Sequence, residues 1–477
     1  MTLTFTISSG KTWLSIIHTQ WFKNLLADVF PDFRFMIVQD RWGDAGDFRI
    51  IEGNATGMAT IGDRPHAFLK QGDPRNIAIF NENIEQKLGK DEAITIATVS
   101  GLQTVLIEQF LQKALPKKGN IANTIKVIHC ADHLETMLES EAWDGVVVSL
   151  ADLNTLLRNN TFKELIRVLL SDKKSMILPL FEVPPQPGEA ALVAYANAVD
   201  DDPLAILEKL NNSAIETKVN AAYSILKTQP ATATAGAFSL DTGTTTFTYA
   251  AGFNISDQSL TAWDFEIPAG LERLDLFSST DYMRDFFTYE YLNDDRLDTA
   301  AEAVFISSHK AIHSNELSTA IATKKVWAAG TRTWYELAKK GIWVEGCADG
   351  LGLEFLESCW QSPLISLNKK NVQIITNASS AQHWLVDGWQ AAGTYELVPA
   401  LSKEIGEAIS KAQFIFWTSF QQYEQYKDFA DSNALHGCPA GKTAKLLLAA
   451  GLKPVIFPTI KAFNDWRAAN EGSKIDA

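Results

Sequence analysis

Apolar positions in this chain come in short β-branched or aromatic runs, each followed by a longer amphipathic stretch. From the start the order is strand, helix, strand: Leu3-Thr-Phe-Thr-Ile7, then Thr12 to Phe30, then Phe33-Arg-Phe-Met-Ile-Val38. The helix carries Leu14, Ile17, Trp21 and Leu25 near one face, at core spacing. Ile94 to Val99 opens another such unit, with a helix through Gln109 to Leu115. Ile125 to Ile128, a helix over Leu134 to Leu138, and Trp143 to Val148 continue the alternation. Strand-sized runs alternating with helical ones predict α/β domains with parallel sheets. Proline punctuation between Ser175 and Val193 predicts a crossover, and Pro203 to Lys227 reads as helical. The Thr/Ala/Gly-rich segment to Phe265 alternates polar and apolar residues, which predicts antiparallel strands, and Ile267-Pro-Ala-Gly270 reads as a linker.

One pattern then occurs twice. Val304-Phe305-Ile306 ends in Ser307-Ser308 and leads to Val326-Trp-Ala-Ala-Gly-Thr-Arg-Thr333, then an amphipathic run from Trp334 to Lys340 closed by Gly341. Phe414-Ile-Phe-Trp-Thr-Ser419 leads to Ala440-Gly-Lys-Thr-Ala444, then Lys445 to Ala450 closed by Gly451. Thr333 matches Thr443 and Gly341 matches Gly451, so two similarly built α/β lobes are expected. Each copy reads as a buried parallel strand, a Gly/Thr turn and a helix with a left-handed glycine stop. Thr333 with Glu336 fits a capping box. The first N–H groups of such helices can hold an anion, although doubly wound proteins contain many such turns with no ligand.

A chain of 477 residues suits two to four domains, and 46% apolar with 21% charged residues describes an ordinary globular composition. The net charge of -15 argues against nucleic acid and acidic membrane as partners, and mildly against a polyanionic substrate. Cys130, Cys347, Cys359 and Cys438 are scattered, with no CxxC pair or histidine cluster. They suggest reduced thiols with neither a disulfide frame nor a metal site. No apolar run reaches membrane-span length, and the N-terminus has a strand pattern, so a cytoplasmic location is expected.

The phrase from Val326 to Gly341 resembles the first lobe of uroporphyrinogen-III synthase, with a strand and surface loop expected next at Ile342 to Gly352. Phe416-Trp-Thr-Ser419 and Gly441-Lys-Thr443, with Leu446 and Gly451, resemble pieces of its second lobe, and Tyr395 falls near the family's interlobe tyrosine. The resemblance runs from Leu271 onward. Earlier landmarks are similar, in order, to porphobilinogen deaminase (hydroxymethylbilane synthase): Leu3 to Leu25, Trp42-Gly-Asp44, Gly72-Asp-Pro-Arg-Asn76, Trp143 to Ser149, and Pro185-Gln-Pro-Gly-Glu-Ala-Ala-Leu192. The implied fold is α/β. Two periplasmic-binding-protein-type domains occupy 1–93 (with part of 176–202) and 94–175, and a small α+β domain occupies 203–266. A two-lobed synthase fold follows at 271–477, with lobe A at 271–298 and 401–477 and lobe B at 299–400.

The deaminase chemistry does not carry over. The cysteine that attaches that family's dipyrromethane falls near Ala231, and no cysteine lies between Cys130 and Cys347, so no cofactor is expected. The family's substrate-holding arginines correspond here to the segment Ser9-Gly-Lys-Thr12 and to Leu102, Gln103, Ile128 and Leu134. The loop carrying its catalytic aspartate is missing, and Asp63 is the nearest replacement or merely a turn residue.

The synthase resemblance implies cyclisation of hydroxymethylbilane with inversion of its last ring, without metal or organic cofactor. The expected catalytic residue is Tyr395, which reads equally as a packed strand hydroxyl. The expected substrate-binding residues are Ser307, Ser308, Gly330, Thr331, Thr333, Ser379 and Ser380 from one lobe. Thr418, Ser419, Gly441, Lys442 and Thr443 answer from the other. His309, His383 and His436 read as polar-face residues. With a silent first half, a separate deaminase would supply the substrate. The alternatives are an active deaminase with a substituted site, a non-catalytic tetrapyrrole-binding or assembly protein, and a two-lobed binder of small acids.

Overall fold

A computed structural model describes residues 3–39, 47–53, 65–90, 92–99, 103–119, 123–130, 134–196, 201–229, 232–283, 285–292, 297–298 and 300–471. The chain divides into two compact units. The first is Met1–Ser239, Thr248–Ala262 and Gln361–Ser366; the second is Leu240–Phe247, Trp263–Trp360 and Leu367–Ala477. Among the described residues no helix is long and apolar enough to cross a membrane.

The first unit holds two five-stranded mixed sheets. One contains β1 (Thr4–Ser9), β2 (Arg34–Gln39), β3 (Phe48–Glu52), β4 (Ala67–Gln71) and β10 (Ala191–Ala196), in the order β2-β1-β3-β10-β4. The other contains β5 (Asn76–Phe80), β6 (Ile94–Thr98), β7 (Ile125–His129), β8 (Gly145–Ser149) and β9 (Lys174–Ile177), in the order β7-β6-β8-β5-β9. The sheets are not purely parallel as the patterning predicts: β10 runs against β3 and β4, and β5 against β8 and β9. The chain thus enters the second sheet at Asn76, well before residue 94. Strands β11 (Thr232–Asp241), β12 (Thr246–Asn254) and β13 (Ser259–Phe265) form a three-stranded sheet. Their connections are too short for parallel neighbours.

The first helix, Trp13–Val29, turns a different stripe inward from the one its apolar spacing suggests. Phe22 and Leu26 are fully buried with His18 and Thr19, while Leu14, Ile17, Trp21 and Leu25 flank them half-buried. The two stripes lie side by side, and edge-to-face packing on Phe48 (5.9 Å from Phe22) decides between them at the cost of burying an imidazole. Burial, helped by the nearby Lys70 ammonium, pushes His18 down to about 4. The unfolded chain takes up this proton near the ordinary value of 6.5, whereas the fold resists it until about 4. The stability in question is therefore complete above pH 6.5 and is lost as pH falls to 4, by about 3 kcal/mol in all. Urea titrations at stepped pH should show this slope in the native chain and a shallower one in His18→Gln.

Two of the deaminase-like motifs, Gly72–Asn76 and Pro185–Leu192, fall on the crossovers between the two sheets. Asp73 accepts hydrogen bonds from the Arg75 backbone N–H (3.1 Å) and Nε (2.9 Å), with Arg75 buried. Asn76 Nδ2 donates to Gln103 Oε1 (3.1 Å), whose own Nε2 donates to the Pro184 carbonyl (2.5 Å). Glu189 accepts from the Gln186 N–H (2.8 Å). Gln103 is fully buried and ties these two crossovers together.

The second unit holds two sheets. A four-stranded parallel sheet has the order β14 (Leu276–Ser278), β21 (Phe414–Phe416), β22 (Leu435–Pro439), β23 (Val455–Phe457). A six-stranded sheet has the order β15 (Phe287–Tyr291), β20 (Gln390–Pro399), β19 (Val372–Asn377), β16 (Ala303–Ile306), β17 (Lys325–Ala328), β18 (Gly346–Cys347). Only β15 runs antiparallel to its neighbour. The chain passes between these lobes at Phe286 and Ala400, whose backbones are bonded (2.9 Å), so the first linker lies before residue 298. Both repeated strand runs, β16 and β21, are fully buried and parallel to their neighbours.

Candidate functional site

The six-stranded sheet reverses its winding between β16 and β19. From β16 the chain moves outward to β17 and β18, then returns to the other side of β16 for β19 and β20. In open α/β sheets such a reversal is where ligands bind, at the carboxyl ends of the central strands. Ser307 and Ser308 leave β16 at this point, and Asn377 ends β19.

A β-bulge builds the centre of the site. The β19–β20 register shifts between Thr376 and Asn377, so that Gly393 pairs with Thr376 but Tyr395 with Asn377. Thr394, the extra residue, is tied down by its Oγ1, which donates to the Ala311 carbonyl (2.8 Å). Such a bulge re-aims the next side chain. Tyr395 is 4% exposed and lies in register with Asn377. Burial pushes its phenol above the ordinary tyrosine value, while hydrogen bonding from Asn377 and Ser308 pulls the other way. Asn377 caps the helix Ala378–Val386: its Oδ1 accepts from the Ser380 N–H (2.9 Å) and its Nδ2 donates to Ser380 Oγ (3.1 Å).

Three predicted residues, Ser308, Tyr395 and Ser380, are thus joined through a fourth that sequence reading missed. Asn377 carries a local signal, an Asn before Ala-Ser-Ser where an apolar strand run ends, which is an N-cap pattern. Ser307 is adjacent, its N–H bonded to Ile375 (3.0 Å), and Ser379 is exposed in the first helical turn.

Positive groups gather on the same edge. Lys310 Nζ lies 3.4 Å from the ring centre of Tyr289, and that ring is 6.0 Å from Tyr395. His309 is within electrostatic reach of Glu336, Arg332, Lys310 and Lys340. Partial burial, more than any of these charges, holds its imidazole below the usual histidine value.

The first Gly/Thr turn differs from its predicted capping. Gly330 is the N-cap of the helix Thr331–Lys339, extended at φ -169, with no side-chain cap. The helix therefore starts two residues before Thr333, which is buried on its inner face, and Glu336 pairs with Lys339 (2.7 Å) instead of closing a capping box. Thr331 is half-buried in the first turn. The stops hold as expected: Gly341 and Gly451 have φ 76 and φ 85.

The second turn has no freedom in its backbone. Gly441, at φ 87 and ψ -141, caps the helix Lys442–Ala449, and a Cβ there would lie 2.8 Å from the Leu351 carbonyl oxygen. The loop expected on the surface is instead a wedge between the lobes. Ala348, Asp349 and Leu351 are buried, and Gly350 N–H bonds the Ala329 carbonyl (2.8 Å) beside the first turn. Both turns meet on this loop because β18 is only two residues long and delivers the chain inward.

Other second-lobe residues serve largely as caps. Thr418 N–H donates to Ser279 Oγ (2.8 Å) and its Oγ1 to Gln422 Oε1 (2.7 Å), while Ser419 and Gln422 form a capping box. Lys442 Nζ sits 5.1 Å from the ring centre of Trp384 on the opposite lobe. Desolvation holds its ammonium below the usual lysine value, against the pull of Asp387 and Glu354. Thr443 is half-buried beside it, and Lys445 pairs with Glu354 (3.0 Å). His436 accepts from Trp417 Nε1 (2.9 Å), and the exposed His383 contacts the Ser379 carbonyl through Nδ1 (3.0 Å).

In the first unit, Thr12 caps the first helix by accepting from the Ser15 N–H (3.1 Å). Leu134 is buried and Ile128 half-buried. Trp42-Gly-Asp44, Asp63, Leu102 and Ala231 lie outside the described residues.

No family model matches this sequence, and no curated protein matches it significantly. Among solved structures, uroporphyrinogen-III synthetase from Helicobacter pylori is 17% identical, over 39% of this chain and 90% of that one, with a TM-score of 0.27. The substrate-binding domain of a molybdenum ABC transporter from Clostridium difficile is 12% identical over 45% and 95%, with a TM-score of 0.27. PhnD1 of Prochlorococcus marinus, in complex with methylphosphonate, is 14% identical over 43% and 83%, with a TM-score of 0.28. Overlaps this low carry no inference about chemistry.

Proposed function

We propose that the second unit cyclises hydroxymethylbilane to uroporphyrinogen III, and that the first unit is an inactive deaminase-like scaffold. One observation carries this reading: a buried tyrosine, in register with Asn377 and under the influence of Ser308, stands at the carboxyl ends of the strands where the sheet reverses. The ordered synthase-like motifs around it supply the reaction class.

In that reaction a pyrrole nitrogen pushes electrons toward the terminal hydroxymethyl carbon, the C–O bond breaks, and the hydroxyl leaves with a proton as water. The resulting azafulvene is attacked by the substituted carbon of the last ring, giving a spiro intermediate that reopens and closes inverted. Tyr395 provides the proton to the departing hydroxyl and recovers one when ring closure releases it, so one water is lost overall. The rest of the work is holding the chain ends together, worth up to about 7–11 kcal/mol. Lys310, Arg332 and Lys340 set a local positive potential for the carboxylates despite the net charge of -15.

For the first unit, matching sheet orders, each with one reversed strand, support a periplasmic-binding-protein-type fold. The absent thiol and the neutral Gln103, bound to the crossover at Pro184, support its silence. A separate deaminase would then provide the substrate.

The test is freshly made hydroxymethylbilane with separation of the product isomers. Type III product is expected, and type I at the uncatalysed rate alone would place the chain among non-catalytic tetrapyrrole binders. Porphobilinogen offered by itself should not be consumed; sustained consumption would restore the deaminase reading.

A further inference from the structure

We infer that His313 and Thr394 are positioning residues: together they hold the one-residue bulge in β20 that decides which face of the sheet Tyr395 takes. The inference deepens the reading of Tyr395 as proton donor, and rests on that reading only for its catalytic consequence.

A bulge persists where the chain cannot slide it out, and two slides would remove this one. In the first, the part of β20 before the bulge advances by one residue, so that Thr394 pairs with Thr376 in place of Gly393. Gly393 lies so close to the following helix that a Cβ there would be 2.5 Å from the Ala378 Cα. A threonine has no room at that point, which blocks the first slide. In the second, the part after the bulge falls back by one, so that Thr394 pairs with Asn377 in place of Tyr395. Successive side chains alternate in face, so Tyr395 would then turn to the opposite side of the sheet.

Opposition to the second slide comes from the segment that leaves β16. Thr394 Oγ1 donates to the Ala311 carbonyl (2.8 Å), and His313 Nε2 lies 3.1 Å from the Thr394 carbonyl oxygen. A carbonyl oxygen carries no proton, so this second bond requires the Nε2–H form of the imidazole, with the ring nitrogen donating. The same carbonyl accepts from the Leu292 N–H (2.9 Å), just past β15, so both of its lone pairs are used. The His313 ring is itself seated on Tyr291 (centroids 4.5 Å apart), the register partner of Tyr395 on β15. One short stretch, 311–313, thus grips the bulged residue at its hydroxyl and at its carbonyl.

The test uses the full chain, kept below its unfolding temperature, with two readouts. One is the kinetics of type III product formation. The other is the ring-to-ring NOE between Tyr289 and Tyr395, whose centroids are 6.0 Å apart, in selectively labelled tyrosine assigned from Tyr289→Phe and Tyr395→Phe. His313→Phe keeps a ring on Tyr291 but removes the donor, and His313→Gln restores a donor near the place of Nε2. The phenylalanine variant should lose most of the NOE and fall roughly 10- to 100-fold in kcat with KM unchanged, the usual cost of a misplaced reacting group. The glutamine variant should recover both. Should His313→Phe fail to fold, Thr394→Val, which removes the hydroxyl at constant shape, and its rescue by Thr394→Ser decide in the same way. A folded phenylalanine variant with native NOE and kcat, or equal losses in the phenylalanine and glutamine variants, overturns the inference. An NOE lost and recovered as expected in a chain that yields no type III product leaves the positioning role standing and removes the proposed function instead.

Discussion

Tyr395→Phe should lower the rate of type III product formation by about 10²- to 10⁴-fold, the usual range for a positioned general acid. The ring is retained, so the packing that leaves it 4% exposed is unchanged. What is lost is the oxygen between Asn377 and Ser308. Leaving those two groups short of a partner costs about 1–3 kcal/mol of stability, too little to unfold a chain of this size. The phenylalanine variant should therefore bind substrate with an unaltered KM and fail in kcat. A proportionate rise in KM with kcat preserved would instead make Tyr395 a packing or binding residue.

The second large effect concerns the wedge between the lobes. Gly441→Ala should destabilise the second unit by about 1–3 kcal/mol from backbone strain at φ 87, ψ -141. A further cost of about 1–3 kcal/mol should come from forcing a methyl to 2.8 Å from the Leu351 carbonyl. The neighbour cannot swing aside, because the contact is backbone and the loop is bonded through Ala348 to the end of β17 and through Gly350 to Ala329 just after it. Gly330→Ala is the control. Its φ of -169 suits any residue and its Cβ would find nothing nearer than 3.6 Å, so it should cost less than about 1 kcal/mol. Denaturant unfolding followed by tryptophan fluorescence distinguishes the two. Equal losses at both glycines would mean that the turns do not differ as described.

Much of the site is legible in the chain because its signals are local. Ser307-Ser308 after an apolar run, Gly330 and Gly441 before amphipathic stretches, and the stops at Gly341 and Gly451 each follow from neighbours within a few residues. Where local readings compete, the outcome is less legible. The first helix offers two adjacent stripes, and only Phe48 selects the one containing Phe22. Thr333 and Glu336 spell a capping box, but with Gly330 as N-cap the helix begins three residues earlier.

By itself the sequence determined alternating strand and helix, the paired turns, the lack of any cysteine between Cys130 and Cys347 and the cluster of hydroxyl-bearing residues at strand ends. Tertiary structure decided the reversed directions of β5 and β10, the burial of the loop around Leu351, and the meeting of Asn377 with Tyr395. Those depend on strand order and on a one-residue bulge at Thr394. Period-two and period-3.6 patterns say which face a residue takes within its own element, but a partner 18 positions away in the chain is chosen by register, which only the assembled sheet defines.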